Sequence, residues 1–254
     1  QTQLSYTTKI KRPFYNQLSS NMRYMNRFTY MSGNPDLKPE TIHDLTLSGS
    51  YKWLQFMISY QREKDAILYI TEQYEKNPAI TTVTHRNFNR IDNFSAFLTA
   101  SPAVGSWHPQ LTVGVQKQWA KIEHNGETLQ MDTPLFFCTL NNGIQLPYHW
   151  TLSTDINFQS KGDYQNIYMY QNVFMMNATL TKSFLNEHLS IHLQGIDLTH
   201  GRKDGNRIYN KHMNMDVANV SDSRELRFTI RYKFNTAKSK YKGKGAAAEE
   251  IKRL

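Results

Sequence analysis

Apolar and polar side chains alternate one by one along most of the chain. The last such segment is the cleanest: Leu226, Phe228, Ile230, Tyr232 and Phe234 share one parity, and Arg227, Thr229, Arg231 and Lys233 share the other. Successive side chains of a strand point to opposite faces, so this pattern predicts a strand with one apolar and one cationic face. The same period sets Leu45, Leu47 and Tyr51 against Thr46, Ser48 and Ser50, and Leu54, Phe56, Ile58 and Tyr60 against Gln55, Ser59 and Gln61. It returns around Phe94–Ala100, Leu111–Val115, Leu152–Phe158, Phe174–Leu180 and Leu189–Leu193, and less regularly near Thr2 and over 135–146. The count is about ten strands, most of about 9–13 residues, the length a tilted membrane strand requires and well above the ~5–6 usual in globular sheets.

The connections alternate in length. Short turns fall near Lys52, at 101–106, at 147–149 and at 186–187; long loops are predicted at 13–40, 66–89, 122–133, 161–171 and 198–222. Outer-membrane barrels pair short periplasmic turns with long extracellular loops, so the first strand runs outward and the last runs inward. Trp53, Trp107 and Trp150 each lie beside a short turn, and Trp119 sits at the far end of the strand that begins at Trp107. About twelve residues at ~3.3 Å each, tilted by ~45°, span roughly 28 Å, close to the ~25 Å between aromatic girdles. The expected fold class is all-β, an antiparallel transmembrane β-barrel. Residues 1–235 would form barrel wall, and 236–254 a basic tail on the periplasmic side.

Composition sharpens this picture. Aromatic residues make up 13% of the chain, yet mean hydropathy is −0.64, as expected of a protein apolar on one face and wet on the other. No run approaches the ~20 apolar residues of a transmembrane helix. The net charge of +9 is partly gathered in the Lys-rich stretch from Lys238 to Arg253. No stripe of cations interleaved with stacking aromatics marks a nucleic-acid interface. Cys138 is the single cysteine, so no internal disulfide can form. The chain starts directly on a strand pattern without the features of a leader peptide, which suggests a piece of a longer protein.

The most specific segment is Gly33-Asn34-Pro35-Asp36-Leu37-Lys38-Pro39-Glu40. Asn34-Pro35 favours a turn, and Pro39 pushes Lys38 into extended geometry just before an alternating strand. Asn34, Pro35, Leu37, Lys38, Pro39 and Glu40 match the N-P-x-L-K-P-E signature of TonB-dependent outer-membrane receptors, which the whole chain resembles. Arg12-Pro13 and the ending Arg231-Tyr232-Lys233-Phe234-Asn235 resemble the version common in Bacteroidetes-type outer membranes. The resemblance implies a C-terminal portion of a barrel of about 22 strands that closes around an N-terminal plug domain. Such receptors import a scarce ligand with energy passed through TonB, sometimes beneath a surface lipoprotein. Neither plug nor TonB box is recognisable in this chain. Phe234 is followed by a further stretch, so simple reading of a terminal aromatic by the assembly machinery is not expected. The signature residues themselves are expected to shape the handover from loop to strand.

No catalytic, cofactor or metal-ligating set emerges. His188 and His192 are four apart, which in a strand only places them on the same face; H-E-x-x-H, paired cysteines and phosphate-cradling glycine loops are all missing from the sequence. Arg227, Arg231 and Lys233, on the face away from lipid, are candidates for meeting plug carboxylates, and a solvated wall would use them equally well. Tyr24, Arg27, Tyr30, Arg86 and Arg207 lie in the predicted long loops and are candidates for ligand capture, though ordinary loop packing also uses such residues. The expected partners are outer-membrane lipid, the plug and through it TonB, and a surface lipoprotein, with no nucleic acid and no cofactor. Two alternatives compete: a complete ten-strand barrel enzyme with rim residues His43, Asp44 and Asp92, and a soluble β-barrel or sandwich binding module with its apolar face sealed inside.

Overall fold

The computed structural model describes residues 1–74, 76–124, 126–209, 214–220 and 222–234; the tail assigned to 236–254 lies outside them. In chain order the elements are β1 (Thr2–Lys11), α1 (Tyr15–Leu18), β2 (Arg23–Asn26), β3 (Thr29–Met31), β4 (Glu40–Tyr51), β5 (Leu54–Tyr74), β6 (Asn77–Ala100), β7 (Trp107–His124), β8 (Glu127–Met131) and β9 (Leu135–Leu146). They continue with β10 (Trp150–Gln159), β11 (Gly162–Tyr164), β12 (Ile167–Met169), β13 (Val173–Phe184), β14 (Leu189–Ile196), β15 (Lys203–Tyr209), β16 (Asn214–Val220) and β17 (Glu225–Tyr232).

Ten of these strands pair edge to edge in the order β1-β4-β5-β6-β7-β9-β10-β13-β14-β17, an antiparallel meander. Consecutive strands meet at the short turns read from the sequence. Their backbones reverse through left-handed residues, at Lys52 (φ 51°), at Tyr148 and His149 (60° and 61°), and at Leu185, Asn186 and Glu187 (51°, 51° and 67°). β1 and β17 stand at opposite ends of this path and do not pair with each other among the described residues. The sheet is therefore open, and the complete ten-strand barrel does not form.

Register joins the apolar positions into continuous rows. Leu4, Leu47, Ile58, Ala96, Val115 and Phe136 form one. Leu98, Val113, Cys138, Phe158 and Phe174 form another, and Leu152, Leu180, Leu193 and Phe228 a third. This face is not sealed: Phe228 and Ile230 remain 63% and 61% exposed. The soluble alternatives needed these side chains in an interior core. The opposite face is hydroxyl- and amide-rich, tied by pairs such as Ser59 with Ser95 at 2.8 Å and Thr99 with Thr112 at 2.9 Å.

The predicted long loops prove to be folded. Residues 66–89 are not a loop: β5 and β6, of 21 and 24 residues, run on together and pair as far as Tyr74 with Asn77. Residues 122–133 continue β7 and turn back as β8, while 161–171 and 198–222 supply β11-β12-β15-β16, a separate four-stranded sheet. That sheet lies over the polar-face side of the wall at its outer end. Ala66, Leu68, Ile91, Ala120, Ile122 and Met131 form a buried cluster there, closed by Leu129, Tyr168 and Tyr209. Membrane-level alternation hid this core because the face code changes at Asp65, whose φ is 55°. Below it, even-numbered Ile58 and Tyr60 belong to the apolar face; above it, even-numbered Ala66, Leu68 and Ile70 are buried under the covering sheet.

Candidate functional site

The inner wall and the folded shell beside it carry the side chains that gather into sites, and the wall follows from the register. Along the wall, Gln3, Ser48, Met57, Phe97, Gly114, Phe137 and Gln159 form one inward row. Phe97 lies across Gly114, where a Cβ would collide with its ring, and reaches Phe137 at a ring distance of 6.1 Å. This leaves a small apolar patch in an otherwise polar wall, beside a recess of about 740 Å³ bordered by Gln3, Ser48, Met57 and Phe97. Met57 and Phe97 interrupt the polar parity of β5 and β6, and the alternation gave no sign that they gather.

The signature segment clamps the N-terminal loop to the β5–β6 hairpin. The Asn34 side chain accepts from Asp36 N at 3.0 Å and donates to the His85 carbonyl at 3.1 Å. Leu37 is buried. Both backbone groups of Lys38 are read by one side chain: Lys38 N donates to Asn87 Oδ1 at 2.8 Å, and Asn87 Nδ2 donates to the Lys38 carbonyl at 3.0 Å. Asn87 Nδ2 also donates to the carbonyl of Asp65 at 2.7 Å, so the clamp holds the residue where the face code changes. Glu40 is buried, ion-paired to Lys11 at 3.4 Å, and accepts from Ile67 N at 3.3 Å. Pro35 opens a turn that Leu37 N closes on the Asn34 carbonyl at 3.4 Å, and Pro39 disfavours helical geometry at Lys38. The sequence offered Asn87 only as one of the polar residues of a predicted loop, with nothing to show that it reads the Lys38 backbone.

On the inner side a second set of amides staples the covering sheet. Gln118, buried on β7, donates to the Gln165 carbonyl at 2.8 Å and accepts from Gln165 N at 2.6 Å. Asn166, also buried, donates to the carbonyls of Tyr69 at 2.7 Å and Tyr209 at 3.3 Å. Asp197 accepts from Gly201 N at 2.8 Å and from Ser223 Oγ, fixing the passage out of β14.

The candidate ligand residues do not converge on one site. The rings of Tyr24 and Tyr30 lie 6.1 Å apart at a tilt of 50°, and Tyr30 meets Tyr74 edge-on at 5.5 Å, an aromatic group near the hairpin tip. Arg27 lies over Phe28. Arg207 forms a two-pronged pair with Asp216 at 2.7 and 2.9 Å, and this hydrogen-bonded pairing holds the Asp216 carboxyl below its usual range. Arg86 pairs with Glu72 at 2.6 Å on the rim of a cleft of about 250 Å³ shared with Lys121, Glu123 and Tyr209. The cleft exists because β6–β7 pairing stops at Ile91 and Ala120 and the strands then part. Of the candidate plug-facing residues, Arg227 is engaged by Glu225 at 2.8 Å, Arg231 sits opposite Ser190, and Lys233 closes the last turn through its backbone to His188 at 2.8 Å.

The rim residues of the enzyme alternative are held apart. His43 belongs to the apolar face and bonds Tyr6 Oη at 2.9 Å, whereas Asp44 faces the lumen and accepts from Thr46 at 2.6 Å. Asp92 is buried between Arg62 and Arg90 at 2.8 and 2.6 Å.

His85 is a further finding of this shell. It is 6% exposed, packs on Tyr69 at 4.2 Å, and neither ring nitrogen has a hydrogen-bond partner. Burial lowers its pKa. The unfolded chain then binds more protons than the folded one between the depressed value and the ordinary ~6.5, so stability is lost as pH falls through that window. Limited proteolysis of the 13–40 segment should therefore accelerate below about pH 6.5, and His85→Phe should abolish that pH dependence.

An open antiparallel wall with an apolar outer face, a polar inner face and one end built up into folded hairpins defines an outer-membrane β-barrel architecture. The chain belongs to the outer membrane protein beta-barrel family, whose model matches residues 1–232, and its location is the outer membrane. Among solved structures, the outer membrane transporter YddB from Escherichia coli is similar over 80% of this chain at 10% sequence identity and a TM-score of 0.43. The chain spans 33% of that protein's length. No curated protein sequence matches.

Proposed function

We propose that this chain is the C-terminal part of the barrel of a TonB-dependent outer-membrane transporter, and that it acts in ligand import without catalysing a reaction. The carrying observation is a ten-strand wall that is polar inside, apolar outside and open at both margins. A wall of that kind serves a wide barrel whose lumen holds something hydrophilic, which on this reading is a plug domain. The clamp formed by Asn34, Leu37, Lys38 and Glu40 supports the reading, because it sets the N-P-x-L-K-P-E residues at the base of the extracellular shell. Partners on this reading are membrane lipid, the plug, TonB acting through it, and a surface lipoprotein over the shell. The periplasmic tail belongs to the same proposal.

The test uses Ser95, which faces the lumen at mid-wall. In cells producing the protein with Cys138→Ser and Ser95→Cys, a bulky impermeant maleimide added outside should label slowly, and faster when the inner-membrane energising complex is active. Rapid labelling that is identical with and without that complex would sink the transporter reading.

A further inference from the structure

We propose that the outer face of β4–β7 carries a binding site for the phosphate of an anionic glycolipid in the outer leaflet. The inference stands on the membrane placement of the wall and is independent of the transport reading. Following the apolar face upward, the rows change chemistry in strict order. The row Leu47, Ile58, Ala96 and Val115 is aliphatic. The next is Leu45, Tyr60, Phe94 and Lys117, and the one above is His43, Arg62, Asp92 and Trp119. Above that, Thr41, Lys64 and Arg90 align, and Lys121 follows Trp119 on the same face of β7. Each row is one two-residue step along the strand, roughly 7 Å before tilt. Within about three steps the lipid-facing surface passes from hydrocarbon to aromatic to cationic, and the aromatic girdle marks that boundary.

Cations on a lipid-facing surface are costly at mid-bilayer and far better tolerated near the interface. Five gather here, Arg62, Lys64, Arg90, Lys117 and Lys121, about Asp92; Asp132 stands at the margin, where it accepts from Gln130 Nε2 at 3.3 Å, and Glu123 lies beyond Lys121. Asp92 organises rather than neutralises them. It draws in Arg62 and Arg90, accepts from Tyr60 Oη at 2.8 Å, and Arg62 Nη2 donates to Tyr60 Oη at 3.0 Å. None of the ion pairs among the described residues uses Lys64, Lys117 or Lys121. Two recesses flank the Arg62–Asp92–Arg90 bridge on this face. One, of about 410 Å³, is lined by Tyr6, His43, Leu45 and Tyr60 together with Arg62 and Lys64. The other, of about 370 Å³, is bordered by Arg90, Trp119 and Lys121. Aromatic linings suit sugar rings and acyl-chain roots, and neighbouring cations suit phosphate oxygens, which charge-assisted hydrogen bonds hold most strongly.

The experiment takes the protein extracted from outer membranes in mild detergent and reconstituted in nanodiscs. Two probes are compared: a bisphosphorylated lipid A and the same lipid dephosphorylated. The wild type should retain the phosphorylated lipid at least tenfold more strongly, and K64Q/K117Q/K121Q should lose that preference while keeping the Asp92 bridge and its folded, heat-modifiable migration. The triple exchange to arginine should preserve the preference, as should Lys9→Gln on the inner face. If the triple glutamine variant fails to assemble, K121Q alone should show a partial loss. Equal retention of the two lipids, or an unchanged preference in K64Q/K117Q/K121Q, would overturn the proposal. Displacement of the lipid by millimolar inorganic phosphate would do so too, by assigning the cluster to a free anion.

Discussion

Replacing Val113 by arginine should lower stability by about 2–4 kcal/mol and sharply reduce the amount of protein assembled in the outer membrane. Val113 sits in the row Leu98, Val113, Cys138 and Phe158, in the middle of the apolar face and away from both girdles. A guanidinium there must either be desolvated or drag its strand toward the interface. Gln116→Arg, three residues along the same strand but on the wet face opposite Ser95, should assemble normally, because the lumen solvates the charge. Heat-modified migration and urea unfolding in detergent or bilayer would measure both. Equal tolerance of the two substitutions would mean that the exposed apolar face does not contact lipid.

The second large effect is expected at Asn87. One amide side chain makes three hydrogen bonds, to Lys38 N, Lys38 O and Asp65 O. Asn87→Ala strands all three. An orphaned buried group costs roughly 1–3 kcal/mol, and exposure of Lys38 lets water recover part of it, leaving about 2–3 kcal/mol in total. The loss should be local: the N-terminal loop detaches from the β5–β6 hairpin, and residues 13–39 become sensitive to protease while the membrane wall persists. Asn87→Asp should be an intermediate case. It keeps an acceptor for Lys38 N and loses both donations. Unchanged digestion of Asn87→Ala would remove the clamp from the account.

The wall was legible in the sequence because one strong asymmetry governs it. Each membrane strand separates hydrocarbon from water, so every second residue reports its face, and the ten strands and short turns followed from that alone. The shell was not legible. Leu68, Ala120 and Met131 pack between two layers of protein, where polar and apolar residues serve on either side and the two-residue period fades. Two elements there, β11 and β12, have three residues each, too few to show a period. The candidate ligand residues were chosen for type and loop position, and those features do not show that Arg207 faces Asp216 or that Arg86 faces Glu72. Asn87, Gln118 and Asn166 were invisible for a related reason. An amide that reads another segment's backbone leaves no local trace, since its partners are distant in the chain.

The reversed torsion at Asp65 has a consequence for how such a wall can diversify. It resets the parity of the hairpin at the membrane boundary, so the code for inside and outside need not carry through from bilayer to shell. Residues can be inserted, exchanged or removed beyond that point without shifting a single lipid-facing side chain below it. The joint uncouples a constrained half from a free one, and surface specificity can drift while the embedded half stays in phase.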